Sequence, residues 1–449
     1  MKRYIGFITV AVAALFLTGC IGSGGSSASA PTDVKVTPKD GRVVVTWTME
    51  PSVQYWIFHA NGSGVTPQNC SSMPLCYTAI NVTSPASVSG LTNGLLYSFS
   101  INGRKNGGPG GAGSVAVQTS PRLSGATWTP DTSPATGNLR GVAYGAYNAI
   151  GARFIAAGDS GALYSGTVYT TPDATLGAKT GITWSQLVNP LAAPLATNFN
   201  AVNYDSFRGK YLVVGTGGKI ITMTPSLSTT WTELTGYTGG QSLLAIANNA
   251  AGFTVVTGAG GTIITSGDGG STWTVQNSNT ANALNGVAYG YVTALAVNRF
   301  VAVGASGTVR YSTDGVIWTA ATSVSTASEI KGVTYGMVGG VGTFVAVTAD
   351  GNVITSKDGS TWTTPVLVSS ALNAVTVSLN AAVPLSSTVT TVTNALVTAD
   401  NTGNLFRSTD GGATWTQVYS GATPLYAVTH GGLFDYSAVG TSGLSLYAD

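Results

Sequence analysis

Ser266-Gly267-Asp268-Gly269-Gly270-Ser271-Thr272-Trp273 and Ser408-Thr409-Asp410-Gly411-Gly412-Ala413-Thr414-Trp415 are one phrase written twice. A form one residue shorter carries Asp314 to Trp318 and Asp358 to Trp362, and little beyond Thr-Trp survives at Trp128, Trp184 and Trp231. These seven tryptophans follow one another at 42 to 56 residues. A period of roughly 40 to 50 residues with strand-like content between is the signature of a β-propeller blade.

Working outward from Trp318, one repeat reads Leu284-Asn285-Gly286-Val287-Ala288-Tyr289, then Phe300-Val301-Ala302-Val303-Gly304, then Thr308-Val309-Arg310-Tyr311-Ser312, and last Trp318-Thr319. That is four strands. First strands recur at Leu139, Phe199, Leu243, Ile330, Leu372 and Leu425. The two series are out of step, because Trp128 precedes any first strand while the segment ending at Tyr447 lacks a fourth. Circular closure by the strand around Trp128 resolves this and removes free sheet edges. The arithmetic gives seven blades.

The tryptophan phrase matches the Asp-box, Ser-x-Asp-x-Gly-x-Thr-Trp. Asp and Gly suit a tight hairpin in which a carboxylate accepts backbone N–H bonds and glycine takes positive φ. Asp268, Trp273, Asp314, Trp318, Asp358, Trp362, Asp410 and Trp415 are therefore read as structural, at the blade periphery. Calcium demands several converging oxygens, which this pattern does not supply.

Ahead of the repeat, short strands such as Val43-Val44-Val45-Thr46-Trp47 and Tyr97-Ser98-Phe99-Ser100-Ile101 alternate with turn signals, the pattern of a β-sandwich. Residues 31–120 closely resemble a fibronectin type III domain, on the opening Pro31, on Trp47 in the second strand, and on Leu91 six residues before Tyr97. The resemblance implies a core tryptophan, a Leu/Tyr corner and a spacer role. The expected fold is all-β: this sandwich followed by a seven-bladed propeller over residues 121–449.

Met1-Lys2-Arg3 followed by the apolar run Ile5 to Leu17 reads as an export signal, too short for a comfortable membrane span. Its end, Leu17-Thr18-Gly19-Cys20, resembles the bacterial lipobox, which implies cleavage after residue 19 and acylation of Cys20. Residues 20–30 then form a Gly/Ser tether. Ile21, where Asp would signal inner-membrane retention, points to the outer membrane. Cys70 and Cys76, in an exported chain, read as a disulfide.

Charged residues make up 8% of the chain and the net charge is +2, with no basic cluster past the N-terminus, so no nucleic-acid footprint is present. With two histidines, His59 and His430, at no ligand spacing, no metal site or cofactor is expected. Asp-box propellers include sialidases, whose site needs three converging arginines, a Tyr/Glu nucleophile pair and an acid. Here Glu233 falls in an outer strand, Arg310 and Arg407 lie beside Asp-boxes, Arg153 and Arg299 open second strands, and only Arg140 is central. No enzyme is expected. The repeat more nearly resembles non-enzymatic photosystem II assembly and stability factors, through turns such as Val303-Gly304-Ala305-Ser306-Gly307, which implies a docking platform.

Two rings of first-strand residues are the candidate binding surface. One follows the opening apolar residue: Arg140, Asn200, Leu244, Asn285, Lys331, Asn373 and Tyr426. The other closes the strand: Tyr144, Tyr204, Asn248, Tyr289, Tyr335, Val377 and His430. Aromatics with polar tips suit interfaces, whether with a protein loop or a sugar. The long connection from Ser378 to Thr393 is a further candidate surface. The sequence thus describes a lipid-anchored cell-envelope protein that docks an envelope protein complex, with a surface glycan as the alternative partner.

Overall fold

Runs such as Phe300-Val301-Ala302-Val303 are apolar at every position, which suits a strand covered on both faces. In the computed structural model each such run is the second strand of a four-stranded antiparallel sheet, buried along nearly its whole length. The structure describes residues 25–131, 133–145, 153–173, 177–191, 197–224, 230–378, 394–431 and 435–448. The expected signal segment, Cys20 and most of the connection between Ser378 and Thr393 lie outside them. Among the described residues there is no α-helix.

The chain divides into two compact units. The described residues of the smaller are 25–34, 47–84 and 97–118. Its strands Ser26–Ser27, Tyr97–Lys105, Val53–Asn61 and Tyr77–Val82 lie side by side in that order. Trp47 and Tyr97 are both buried, and the Trp47 ring meets Tyr55 edge-on at 5.5 Å. Cys70 and Cys76 are joined by a disulfide with their Cα atoms 5.5 Å apart.

The larger unit contains the three-stranded sheet Lys35–Lys39, Arg42–Thr46 and Ala86–Ser89, where Leu91 is buried and its N–H reaches the Gly41 carbonyl. It also contains seven four-stranded sheets. Their first strands are Leu139–Gly145, Phe199–Asp205, Leu243–Asn248, Leu284–Val292, Ile330–Val338, Leu372–Val377 and Leu425–Gly431. Each lies beside the first strand of the next sheet, and the seventh lies beside the first. The seventh sheet takes its fourth strand from upstream: Thr129–Asp131 pairs with Ser445–Ala448, Thr129 opposite Tyr447. Trp128, just before that strand, is buried with Tyr436 and Leu446 of the same sheet.

The core lies between neighbouring sheets. Trp318, at the start of an outer strand, packs with Val255 of the third sheet and Phe300 of the fourth. Each first strand carries one small residue facing the next sheet: Gly141, Ala201, Ala245, Gly286, Gly332, Ala374 and Ala427. A Cβ on Gly286 would stand 3.1 Å from the Val333 nitrogen of the fifth sheet.

Candidate functional site

In all seven sheets the register between first and second strands skips one residue. The skipped residues are Arg140, Asn200, Leu244, Asn285, Lys331, Asn373 and Tyr426, the first sequence ring in full. A bulge leaves a residue unpaired and re-aims its side chain. These side chains act as ties. The amides of Asn200 and Asn373 donate to the Leu243 and Leu425 carbonyls of the following sheet at 2.8 Å, and Asn285 reaches the Ile330 carbonyl at 3.0 Å. Arg140 pairs with Asp159 and lies 5.8 Å from the Tyr426 ring, whose hydroxyl accepts from Thr441. Lys331 pairs with Glu329 at 2.6 Å.

The second ring occupies one register throughout. Tyr144, Tyr204, Tyr289, Tyr335 and His430 stand opposite Phe154, Tyr211, Phe300, Phe344 and Tyr436, with ring centroids 4.6 to 4.9 Å apart. Such tilted pairs are favourable beyond the area they bury. Three of these aromatics, Tyr144, Tyr204 and Tyr335, also have a seat on the preceding sheet. A Cβ on Gly290 would overlap the Tyr335 ring, one on Gly145 the Tyr204 ring, and one on Gly431 the Tyr144 and Phe154 rings. Tyr-Gly and His-Gly dipeptides at these strand ends were the readable signal for that interlock.

The third and sixth sheets break the pattern: the sixth places Val377 opposite Leu396, and the third places Asn248 opposite Thr254, two small polar residues where its neighbours place two aromatics. The Asn248 amide donates to the Thr254 hydroxyl at 2.6 Å and its carbonyl accepts from Asn203 at 2.5 Å. At this point a cavity of about 340 Å³ opens, bounded by Tyr204, Asn248, Asn249, Tyr289, Thr334 and Tyr335 among others. That volume is within the roughly 300–1,000 Å³ of small-ligand sites. No Asp, Glu, Lys or Arg lines it. Burial raises the Tyr289 and Tyr335 hydroxyls above their ordinary pKa, so both stay neutral; the Tyr335 hydroxyl donates to the Tyr291 carbonyl at 2.6 Å. Tyr144 and His430 of the same ring, and Val377, do not line the cavity.

The hairpins leaving these strands carry apolar side chains into solvent: Phe207, Tyr291, Leu295, Met337 and Val341. Sequence reading missed them, because alternation in a hairpin looks alike whichever face is covered.

At the outer edge of the sheets, in the same register as the second ring (Ser266 opposite Thr254, Ser312 opposite Phe300), the Asp268 carboxylate accepts from the Ser266 and Thr272 hydroxyls and the Thr272 N–H. Bonds from Thr272 hold its pKa well below the usual carboxylate range. Asp314 accepts from Ser312 and from the Val316 and Ile317 N–H groups, Asp358 from Ser356, Ser360 and Thr361, and Asp410 from Ser408 and Thr414. Gly270, which a positive φ of 93° requires, donates its N–H to the Ser266 hydroxyl. Trp318, Trp362 and Trp415 each donate an indole N–H back to the glycine carbonyl of the turn. Trp273 is half-buried against Leu212 and Val256. Arginines tie down carbonyls: Arg299 that of Asp358, Arg310 those of Ser278 and Asn279, Arg407 that of Leu123.

No family model matches the chain, and no curated relative matches it. Among solved structures, YCF48 bound to a D1 peptide is similar at a TM-score of 0.51 and 16% identity, over 71% of this chain and 96% of that one. YCF48 from Cyanidioschyzon merolae and the WD40 β-propeller domain of Doa1 are more distant, each at a TM-score of 0.49, with 15% and 13% identity. They cover 98% and 95% of their own chains and 72% of this one. At such identities the likeness shows the fold alone, a β-propeller.

Proposed function

We propose that this chain is a lipid-anchored, non-catalytic docking protein of the bacterial cell envelope. In this reading acylated Cys20 holds it to the outer membrane, residues 31–120 form a fibronectin type III spacer, and residues 121–449 form a seven-bladed propeller that binds a protein partner. Seven sheets with cyclically neighbouring first strands support the blade count.

The observation that carries the docking role is an uncharged cavity whose lining strands run on into hairpins with exposed apolar side chains. Phe207 is 63% exposed and Leu295 50%, on the first hairpins of the second and fourth sheets, whose first strands line the cavity. Apolar side chains gathered on one face mark contact sites for other proteins. Leu295, Met337 and Val341 are aliphatic and have no use in stacking on a sugar, which favours protein over glycan. YCF48, a similar fold, has been seen holding a peptide.

The test is a photo-crosslinking amino acid at Leu295, activated in the native membranes and followed by mass spectrometry. One dominant protein adduct is expected. Absence of any protein adduct, together with binding on a glycan array, would overturn the reading in favour of a sugar-binding protein. For the anchor, Cys20→Ala is expected to leave a larger, unprocessed precursor; soluble protein of normal size would refute it.

A further inference from the structure

Resting on that reading, we infer that the cavity at Asn248 receives the side chain of a tyrosine projecting from an uncharged loop of the partner protein. The repeat itself describes the occupant. In the second, fourth and fifth sheets the two facing positions hold Tyr204 with Tyr211, Tyr289 with Phe300, and Tyr335 with Phe344. In the third they hold Asn248 and Thr254, and the opening lies between Tyr204 on one side and Tyr289 on the other. An aromatic ring from outside would take the place that the third sheet leaves without one and stack between aromatic walls at the distances the fold already uses.

The lining selects tyrosine over phenylalanine and over a charged side chain. Asn203, Ser206, Asn248 and Asn249 surround the opening, so a wholly apolar ring would strip water from amides and hydroxyls without replacing it. With no ionised residue in the wall, a buried charge would find no counter-charge. Exposed Leu295 and Met337, on the first hairpins of two sheets whose first strands line the cavity, offer apolar contact to the partner's backbone around the inserted ring, the arrangement in which a central aromatic anchor is shielded from water.

The experiment uses the purified full-length chain with N-acetyl-L-tyrosinamide as probe, N-acetyl-L-leucinamide and N-acetylglucosamine as controls, and nuclear magnetic resonance titration as readout. The tyrosine probe is expected to bind in the millimolar range, fitting its few heavy atoms, and to shift resonances of Asn248 and Tyr289. Asn248→Tyr supplies the missing ring from within. It is expected to fold with an unchanged melting temperature, to weaken the probe at least about tenfold, and to abolish the Leu295 crosslink. If Asn248→Tyr does not fold, Asn248→Gln, which narrows the opening without adding a ring, is read in the same assays with the same expectation of weaker binding. A folded variant that keeps the full crosslink yield would overturn the cavity assignment while leaving the docking role intact. Preference for N-acetylglucosamine, with no protein adduct, would overturn both.

Discussion

The third and fourth sheets are neighbours written in nearly the same words, and they differ in their inner strands. In the outer turn Asp268 and Asp314 accept the same kinds of bond from a serine hydroxyl and from the turn's own backbone. In the same register of the two inner strands the third sheet has Asn248 and Thr254, the fourth Tyr289 and Phe300. The outer turn is fixed by local chemistry that all four copies carrying the Asp satisfy. The inner pair is fixed only by what lies beside it, so it can diverge without loss of the sheet, and there the cavity opens.

The comparison breaks most sharply at the tryptophans. Trp318 is 2% exposed, whereas Trp273 is half-buried. Trp318→Ala is expected to lower stability by about 3–5 kcal/mol, and Trp273→Ala by clearly less, both read as shifts in the urea midpoint at constant slope. Equal losses would mean that the two sheets are held alike.

Acid sharpens the comparison by bringing in the seventh sheet, whose ring position holds His430 packed edge-on to Tyr436. Burial lowers the His430 pKa to about 4, from an ordinary value of 6.5. Between pH 6.5 and 4 the unfolded chain takes up a proton that the folded one refuses, so stability falls as the pH drops through that window and is level above it. The full loss approaches about 3 kcal/mol, and His430→Phe is expected to remove it from the pH dependence of urea unfolding. His59, also buried and also brought to about 4, titrates over the same window in the smaller unit. Asp410 acts lower: burial raises it, but bonds from Thr414 and Ser408 outweigh this and bring it to about 2, so its contribution fades only below about pH 4.

Smaller effects are expected at the seats. Gly290→Ala, which drives a methyl into the Tyr335 ring, is expected to destabilise by about 1–3 kcal/mol. The corresponding Asn249→Ala in the third sheet removes acceptors for the Ala251 and Phe253 N–H groups and is expected to lower stability by about 1 kcal/mol. Thermal melts of the pair check the order; a larger effect at Asn249 would show that the third sheet has its own interlock.

What sequence could disclose followed the range of the interactions. The Asp-box turn closes within eight residues, so its letters declare it, and the out-of-step tryptophan at 128 declared the distant strand that pairs with Ser445–Ala448. The bulge was present but unread: Leu139 and Val142 are both buried three residues apart in a strand whose period is two, which requires an extra residue between them. The second ring was found, yet not which of its members share an opening. That depends on Asn248 being smaller than its neighbours' tyrosines, a property of the gap between sheets and of no single segment. The pairing of Arg140 with Asp159 was unreadable for the same reason, since the partner lies across a turn.

The pairing of Thr129–Asp131 with Ser445–Ala448 sets a schedule for biogenesis. On the ribosome the upstream strand emerges long before its partner exists. Until the last strand arrives, the first and seventh sheets expose the flanks they will later bury against each other. Contacts so distant in sequence form slowly. An unclosed chain of this kind is what a holdase chaperone would recognise, and any clipping near residue 445 would leave the assembly permanently at that stage.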